Sequence, residues 1–258
     1  MITAMKIFKQ ARWKFLLGVF KIKRFVNRWF GVRRLDYGPK DIFILTDTLR
    51  EWETRARSVG KEPKTVPWLE KHGGVGTVFY DIGANIGAYS LVAAAQGARV
   101  IAFEPAPHNF YKIHENILLN KLNDKITVVP LALAENEGVI VSYIVVKTFG
   151  ASHSFSFQEK PSETLPAQSF LAIDLDTCMK TFSFPLPTMM KIDVDGAEKD
   201  VINGARTLLS NPYLKHLLVE IVDELSAELI RDLANMGFKL VDQEIAGTGA
   251  TNYIFERL

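Results

Sequence analysis

Between Thr77 and Ser90 the chain reads TVFYDIGANIGAYS: an apolar run closed by Asp81, a glycine-bearing turn, and a helix-forming stretch. A strand that passes into a helix through such a turn marks a βαβ unit, because parallel strands need a covered crossover to pair. The remainder keeps that rhythm. Strands are expected over 77–81, 99–104, 126–130, 188–193, 214–221, 239–244 and 251–256, and helices over 86–96, 107–119, 197–209 and 223–236. The alternation predicts an α/β fold, a Rossmann-like, doubly wound, mostly parallel seven-stranded sheet with an N-terminal helical extension. Ligands of open α/β sheets sit beyond the carboxyl ends of the strands, so the residues that close each strand are the candidates for chemistry.

With 258 residues, 48% hydrophobic and 23% charged, the chain suits one full-sized domain with an appendage and is too apolar for a disordered chain. Its single cysteine, Cys178, excludes an internal disulfide framework, and no Cys/His cluster offers a zinc site. No apolar run approaches the roughly 20 residues of a spanning helix, so a cytoplasmic location is expected. Charge is unevenly spread. Residues 1–34 carry ten bases and no acid, whereas the rest carries 21 bases against 29 acids. Phe15, Val19, Ile22, Val26 and Trp29 fall on one side of a helix, with lysines and arginines around much of the remainder. Three readings of this basic amphipathic helix stay open. It packs on the main domain or buries its stripe in a homo-oligomer, it lies on the anionic inner face of a membrane, or it meets nucleic-acid phosphates, in that order of preference. A further helix is expected over 41–52, followed by loops around Pro63, Pro67 and Gly73-Gly74. The stretch 138–173 interrupts the βα rhythm, with a strand-like 139–147 and a Ser-, Phe-, Gly- and Pro-rich 148–168.

Glycines in the first strand-to-helix turn permit tight angles and close approach of a ligand to backbone N–H groups. Glu104, twenty-one residues beyond Gly83, ends the next strand, where an acid binds ribose hydroxyls. A dinucleotide fingerprint requires a second glycine where this chain has Asn85, which argues against a nicotinamide oxidoreductase. Asp81 closes the strand as an anion where a pyrophosphate would prefer none, and suits a ligand bearing an amino group and a sulfonium. S-adenosyl-L-methionine is such a ligand. The plainer alternative is a structural turn with an asparagine cap.

The segments DIGANIGAYS, IAFEPAPHNFYKIHENILLN, KIDVDGAEKDVINGA and LLVEI together resemble the FkbM-type methyltransferases, a branch of the class I S-adenosylmethionine-dependent enzymes, over about residues 75–221. The resemblance implies a methyltransferase domain over 71–258, preceded by the basic helix and an approach region over 1–70. It implies that Asp81, Gly83, Asn85 and Gly87 surround the methionine part of the cofactor, that Glu104 with Pro105 takes the ribose, and that Leu131 and Ala132 lie near adenine. It also implies a hydroxyl acceptor on a natural product or on a sugar of a glycan. Its common pattern does not include the basic helix.

Methyl transfer is an in-line displacement, so alignment and a nearby base or metal supply most of the catalysis. Asp193 closes the strand MMKIDV and is expected to face the cleft, as a base, a partner for the cofactor's amino group, or a ligand of a divalent ion. Glu220 closes the next strand as a second candidate, whereas Glu198 reads as a first-turn acid complementing a helix dipole. Clustered carboxylates admit Mg²⁺, but the spacing fixes no ligand set. Among five histidines, His153 lies in the irregular middle segment and is the candidate base, with a solvated loop histidine as the alternative. A small-molecule or glycan O-methyltransferase leads. Asp193-Val194-Asp195-Gly196 departs from the Asp/Asn-Pro-Pro-aromatic signature of base-amine methylation and disfavours a nucleic-acid substrate; a non-catalytic binding protein on the same fold is the remaining class.

Overall fold

The computed structural model describes residues 14, 18, 31–46, 53–136, 138–143, 154–156, 167–247 and 249–257. His153, nearly all of the expected basic helix and most of 148–168 lie outside the described residues.

The short strands β1 (Val32–Arg34) and β2 (Phe43–Leu45) pair antiparallel, and helices α1 (Ser58–Lys61) and α2 (Thr65–His72) lead into the main sheet. The βα units follow: β3 (Val78–Ile82), α3 (Ala88–Gln96), β4 (Arg99–Phe103), α4 (Pro107–Asn120) and β5 (Ile126–Val129). Next come β6 (Ala132–Leu133), β7 (Gly138–Tyr143), β8 (Ser154–Ser156), β9 (Ala167–Ile173) and α5 (Leu175–Phe182). The chain closes with β10 (Met189–Ile192), α6 (Glu198–Asn203), α7 (Arg206–Leu209), β11 (His216–Val222), α8 (Ser226–Asn235), β12 (Phe238–Gly247) and β13 (Ala250–Arg257). The main sheet has seven strands in the order β12-β13-β11-β10-β3-β4-β5, as the alternation predicts. Its centre is parallel, and β13 pairs antiparallel with both β11 and β12. The middle segment that broke the rhythm supplies a second sheet, β6-β9-β7-β8, set apart from the first.

Both faces of the main sheet are covered, so its central strands are apolar throughout. Side chains alternate faces along a strand. Phe79, Val100, Met189, Leu218 and Ile254 go to the side covered by α2 and α3, with Trp68, Leu69 and Leu91. Tyr80, Ile101, Met190, Leu217 and Phe255 go to the side holding Leu175, Cys178, Val201 and Leu229. The same period of two assigns Asp81, Lys191, Asp193 and Glu220 to the α2/α3 side. Four charged residues thus share one face near the ends of adjacent strands.

Two local expectations are corrected. The helix expected over 41–52 is replaced at Phe43–Leu45 by β2, which pairs with β1 on one edge and takes side-chain partners from α4 on the other. Leu45 N–H donates to Asn116 Oδ1 at 2.7 Å, and Phe43 N–H donates to Asn120 Oδ1 at 2.8 Å. Two asparagines one helical turn apart thereby act as a sheet edge. The single helix expected over 197–209 breaks into α6 and α7 at Gly204, where a Cβ would lie 2.0 Å from the Ala134 carbonyl oxygen.

Candidate functional site

The site opens at the carboxyl ends of β3, β4, β5, β10 and β11, as expected for this topology. It has two halves that share Gly83, Asn85, Asp193 and Asp195. One half, a cleft of about 610 Å³, is mainly apolar, walled by Phe103, Pro105, Leu131, Ala132, Leu133 and Val194 with Glu104 and Asn109 at its floor. The other, about 700 Å³, is polar and is walled by Thr54, Arg55, Lys61, Glu62, Glu220 and Ala246.

The turn after β3 explains why glycine stands at 83. Gly83 has φ +83, and a Cβ there would sit 1.7 Å from the carbonyl oxygen of Asp193. No side chain fits between the β3 turn and the end of β10, so the two loops approach through backbone. Asn85, also left-handed at φ 52, caps its own turn as its Oδ1 accepts the Ile86 N–H at 3.0 Å.

Glu104 sits at the tip of β4 and is 5% exposed. Its carboxylate accepts the Asn85 and Ala106 backbone N–H groups, each at 2.8 Å, and the Asn109 side chain also bonds it. Burial pushes its pKa up to about 7, against the lowering pull of those bonds and of the Arg55 charge. The amide oxygen of Asn109 is buried in the same cleft with no hydrogen-bond partner. A buried unpaired acceptor costs about 1–3 kcal/mol, so this half of the cleft is complementary to a ligand that donates there.

The polar half is organised by a buried lysine. Lys191 is 1% exposed and donates to Asp193 Oδ2, with its ammonium 4.9 Å above the Tyr89 ring. It pairs in register with Asp81 on β3, whose Oδ2 accepts the Ser90 hydroxyl at 2.5 Å. Burial alone would pull the ammonium down, but Asp193, Glu62 and Asp81 together hold it above the usual lysine range. Burial raises the Asp81 carboxyl, which Lys191 partly offsets. Burial, then the charge of Asp193, pushes Glu220 up to about 8 against the opposing pull of Lys191. Glu62, Asp193 and Glu220 set carboxylate oxygens within 4.8 Å of one another. Such oxygens suit a hard cation such as Mg²⁺, while the Lys191 ammonium already supplies a positive charge beside them. The nearby Glu198 is structural: its Oε1 accepts the Val194 and Gly196 N–H groups at 3.2 and 3.0 Å, fixing the turn beyond Asp193.

Most of the residues singled out by sequence converge. Gly83, Asn85, Glu104, Pro105, Leu131, Ala132 and Asp193 all line the apolar half. Asp81 and Gly87 do not. Asp81 is 2% exposed and lies beneath the turn beside Lys191, and Gly87 precedes α3, where a Cβ would meet Ile113. In this structure these two shape the turn from behind and do not line either half of the crevice. His153 lies outside the described residues, and His72 and His216 stack on each other at 3.7 Å at the start of β11. Sequence reasoning missed Arg55, Lys61, Glu62 and Lys191. A lysine inside the buried apolar run Met189–Ile192 was a readable signal; nothing in the loop-like 54–62 distinguishes its charged residues from solvated ones.

A sequence model of the methyltransferase FkbM domain matches residues 81–240. The chain belongs to the FkbM methyltransferase family. This FkbM chain is 27% identical over 171 residues to a protein named hexuronic acid methyltransferase AglP from Haloferax volcanii, covering 65% of each chain. It therefore spans slightly under two thirds of that curated relative. A crystal structure of methyltransferase FkbM from Methylobacillus flagellatus KT aligns with a TM-score of 0.49 at 12% identity, covering 77% of this chain and 60% of that one. A precorrin-6y C5,15-methyltransferase from Geobacter metallireducens GS-15 aligns with a TM-score of 0.46 at 13% identity, covering 76% and 86%. The FkbM match begins at Asp81, so the polar wall at Thr54, Arg55, Lys61 and Glu62 lies outside it. Among the described residues no helix is long and apolar enough to cross a membrane.

Proposed function

We propose that this FkbM protein is an S-adenosyl-L-methionine-dependent O-methyltransferase whose acceptor is a sugar hydroxyl. The observation that carries the reading is the division of one crevice into an apolar half floored by Glu104 and a polar half floored by Asp193 and Glu220, joined at Gly83 and Asn85. The residues present fit the donor. Glu104 would accept from ribose hydroxyls, the slot at Phe103, Pro105, Leu131 and Ala132 would take adenine, and the unpaired amide oxygen of Asn109 would accept from its amino group. Gly83, Asn85 and Asp193 would then meet the methionine part. Bound there, the donor supplies an electrophilic methyl group.

The polar half favours a hydroxyl as the nucleophile over a carboxylate. Three carboxylates crowd this floor, and a fourth would be repelled. A hydroxyl instead donates to one of them as it reacts, and Glu220, pushed up to about 8, holds its own proton at neutral pH and becomes available to receive one as pH rises through 8. A polar wall rich in charged groups matches a polyhydroxylated acceptor, and the relative named for a hexuronic acid supports a sugar.

Calorimetry on the purified chain tests the donor. S-adenosyl-L-homocysteine is expected to bind at one site and NAD not at all. Absence of homocysteine-product binding, or binding of NAD in its place, would end this reading.

A further inference from the structure

The polar half of the crevice is not uniformly acidic. Three of its carboxylates converge: Asp193 is bonded to Lys191, and Glu62 and Glu220 lie within 4.8 Å of it. The two cations that line it, Arg55 and Lys61, come from the segment around α1, which also carries Glu62. Glu62 turns inward and is 7% exposed, whereas its neighbour Lys61 remains exposed at the mouth. Among the described residues the Lys61 ammonium forms no ion pair, although four carboxylates line the same pocket. An ammonium that lines an acid-rich pocket without engaging any of those acids marks a separated positive pole.

From this arrangement we infer that the acceptor is an anionic sugar, its reacting hydroxyl directed to Asp193 and Glu220 and its negative group held by Lys61 and Arg55. The inference rests on the donor reading above and adds the charge of the acceptor to it. An arginine and a lysine on one wall suit a carboxylate or a phosphate, the arginine through paired N–H donors and the lysine as a point charge. A neutral sugar would satisfy the acid floor equally well but leave the Lys61 charge without a partner. The two poles also fix direction: an anion directed to the floor meets repulsion from the carboxylates, so the sugar enters with its hydroxyl foremost. Both cations precede Asp81, outside the matched family span.

The test uses the whole chain saturated with S-adenosyl-L-homocysteine, titrated in low salt with methyl β-D-glucuronoside, glucose 6-phosphate and methyl β-D-glucoside. An anionic probe is expected to bind about tenfold or more tightly than the glucoside, as charge-assisted bonds would give. Lys61→Gln and Arg55→Gln are each expected to reduce that preference several-fold, with glucoside binding little changed. Preference for the glucuronoside alone assigns a carboxylate, and preference for the phosphate alone assigns a phosphorylated sugar. Equal binding of all three, no binding of any, or a preference that survives both substitutions overturns the inference. Failure of the homocysteine product to bind in the first place overturns the donor reading instead.

Discussion

Lys191 and Asp81 face one another in register across neighbouring parallel strands, both nearly inaccessible to solvent, beneath the turn that carries Gly83. Charges are rarely buried without a partner, because desolvation costs several kcal/mol for each ion. Here the lysine bonds Asp193 two residues on along its own strand while its charge also acts with Asp81 on the neighbouring strand, so one cation serves two strand ends at once.

Removing that cation leaves its acids uncompensated. Lys191→Met is expected to destabilise the fold by about 3–5 kcal/mol, the usual cost of breaking a buried pair from one side. Urea unfolding monitored by circular dichroism measures it. A loss below about 1 kcal/mol would mean that the acids do not depend on the ammonium.

Gly83→Ala is expected to be severe. Its Cβ would sit 1.7 Å from a backbone oxygen at a position with φ +83, so the β3 turn and the end of β10 must separate. Steric displacement and left-handed strain together predict a loss of about 3 kcal/mol or more and no measurable binding of S-adenosyl-L-homocysteine. Thermal unfolding and calorimetry read the two effects separately.

Glu104 links donor affinity to pH. With its carboxyl near 7, the charged form proposed to accept from ribose hydroxyls is lost on acidification through neutrality. Affinity for S-adenosyl-L-homocysteine is therefore expected to fall between about pH 8 and pH 6. Glu104→Gln is expected to weaken binding by about 1.5–3 kcal/mol and to flatten this dependence. Calorimetric titrations across that range decide it, and a pH-independent wild type contradicts the assignment.

Glu220 links the stability of the fold to pH. Its pKa is raised from 4.5 to about 8, so the folded state binds its proton more tightly than the unfolded chain does. The stabilisation from that proton is complete below about pH 4.5 and disappears as pH climbs through about 8. Glu220→Gln mimics the neutral form, and is expected to gain about 1–3 kcal/mol relative to wild type between pH 5 and pH 9. Denaturant unfolding of both proteins at the two pH values measures the gain; parallel behaviour would show that Glu220 titrates normally.

The main sheet could be read from the chain because its strands are apolar runs ended by acids and spaced by amphipathic helices, a pattern that burial on both faces imposes. Glu104 and Asp193 were legible for the same reason, since position at a strand end determines where a side chain emerges. Phe43–Leu45 was not, because besides β1 its partners are Asn116 and Asn120, more than seventy residues away. The depth of Asp81 was not legible: alternation along β3 turns it under α3, and Lys191 makes that burial tolerable. The contribution of Arg55, Lys61 and Glu62 was invisible, since their role depends on how the chain before α2 folds over the sheet edge and not on any local spacing.

The wall bearing Lys61 and Glu62 comes from chain that precedes Asp81, whereas the slot around Glu104 and Leu131 comes from the βα core. One consequence is modularity. On the proposed reading, exchanging the segment before α2 for that of a homologue is expected to retool which compound is modified while the machinery for the common reagent stays in place, so chimeras divided near Thr65 offer a direct route to altered selectivity.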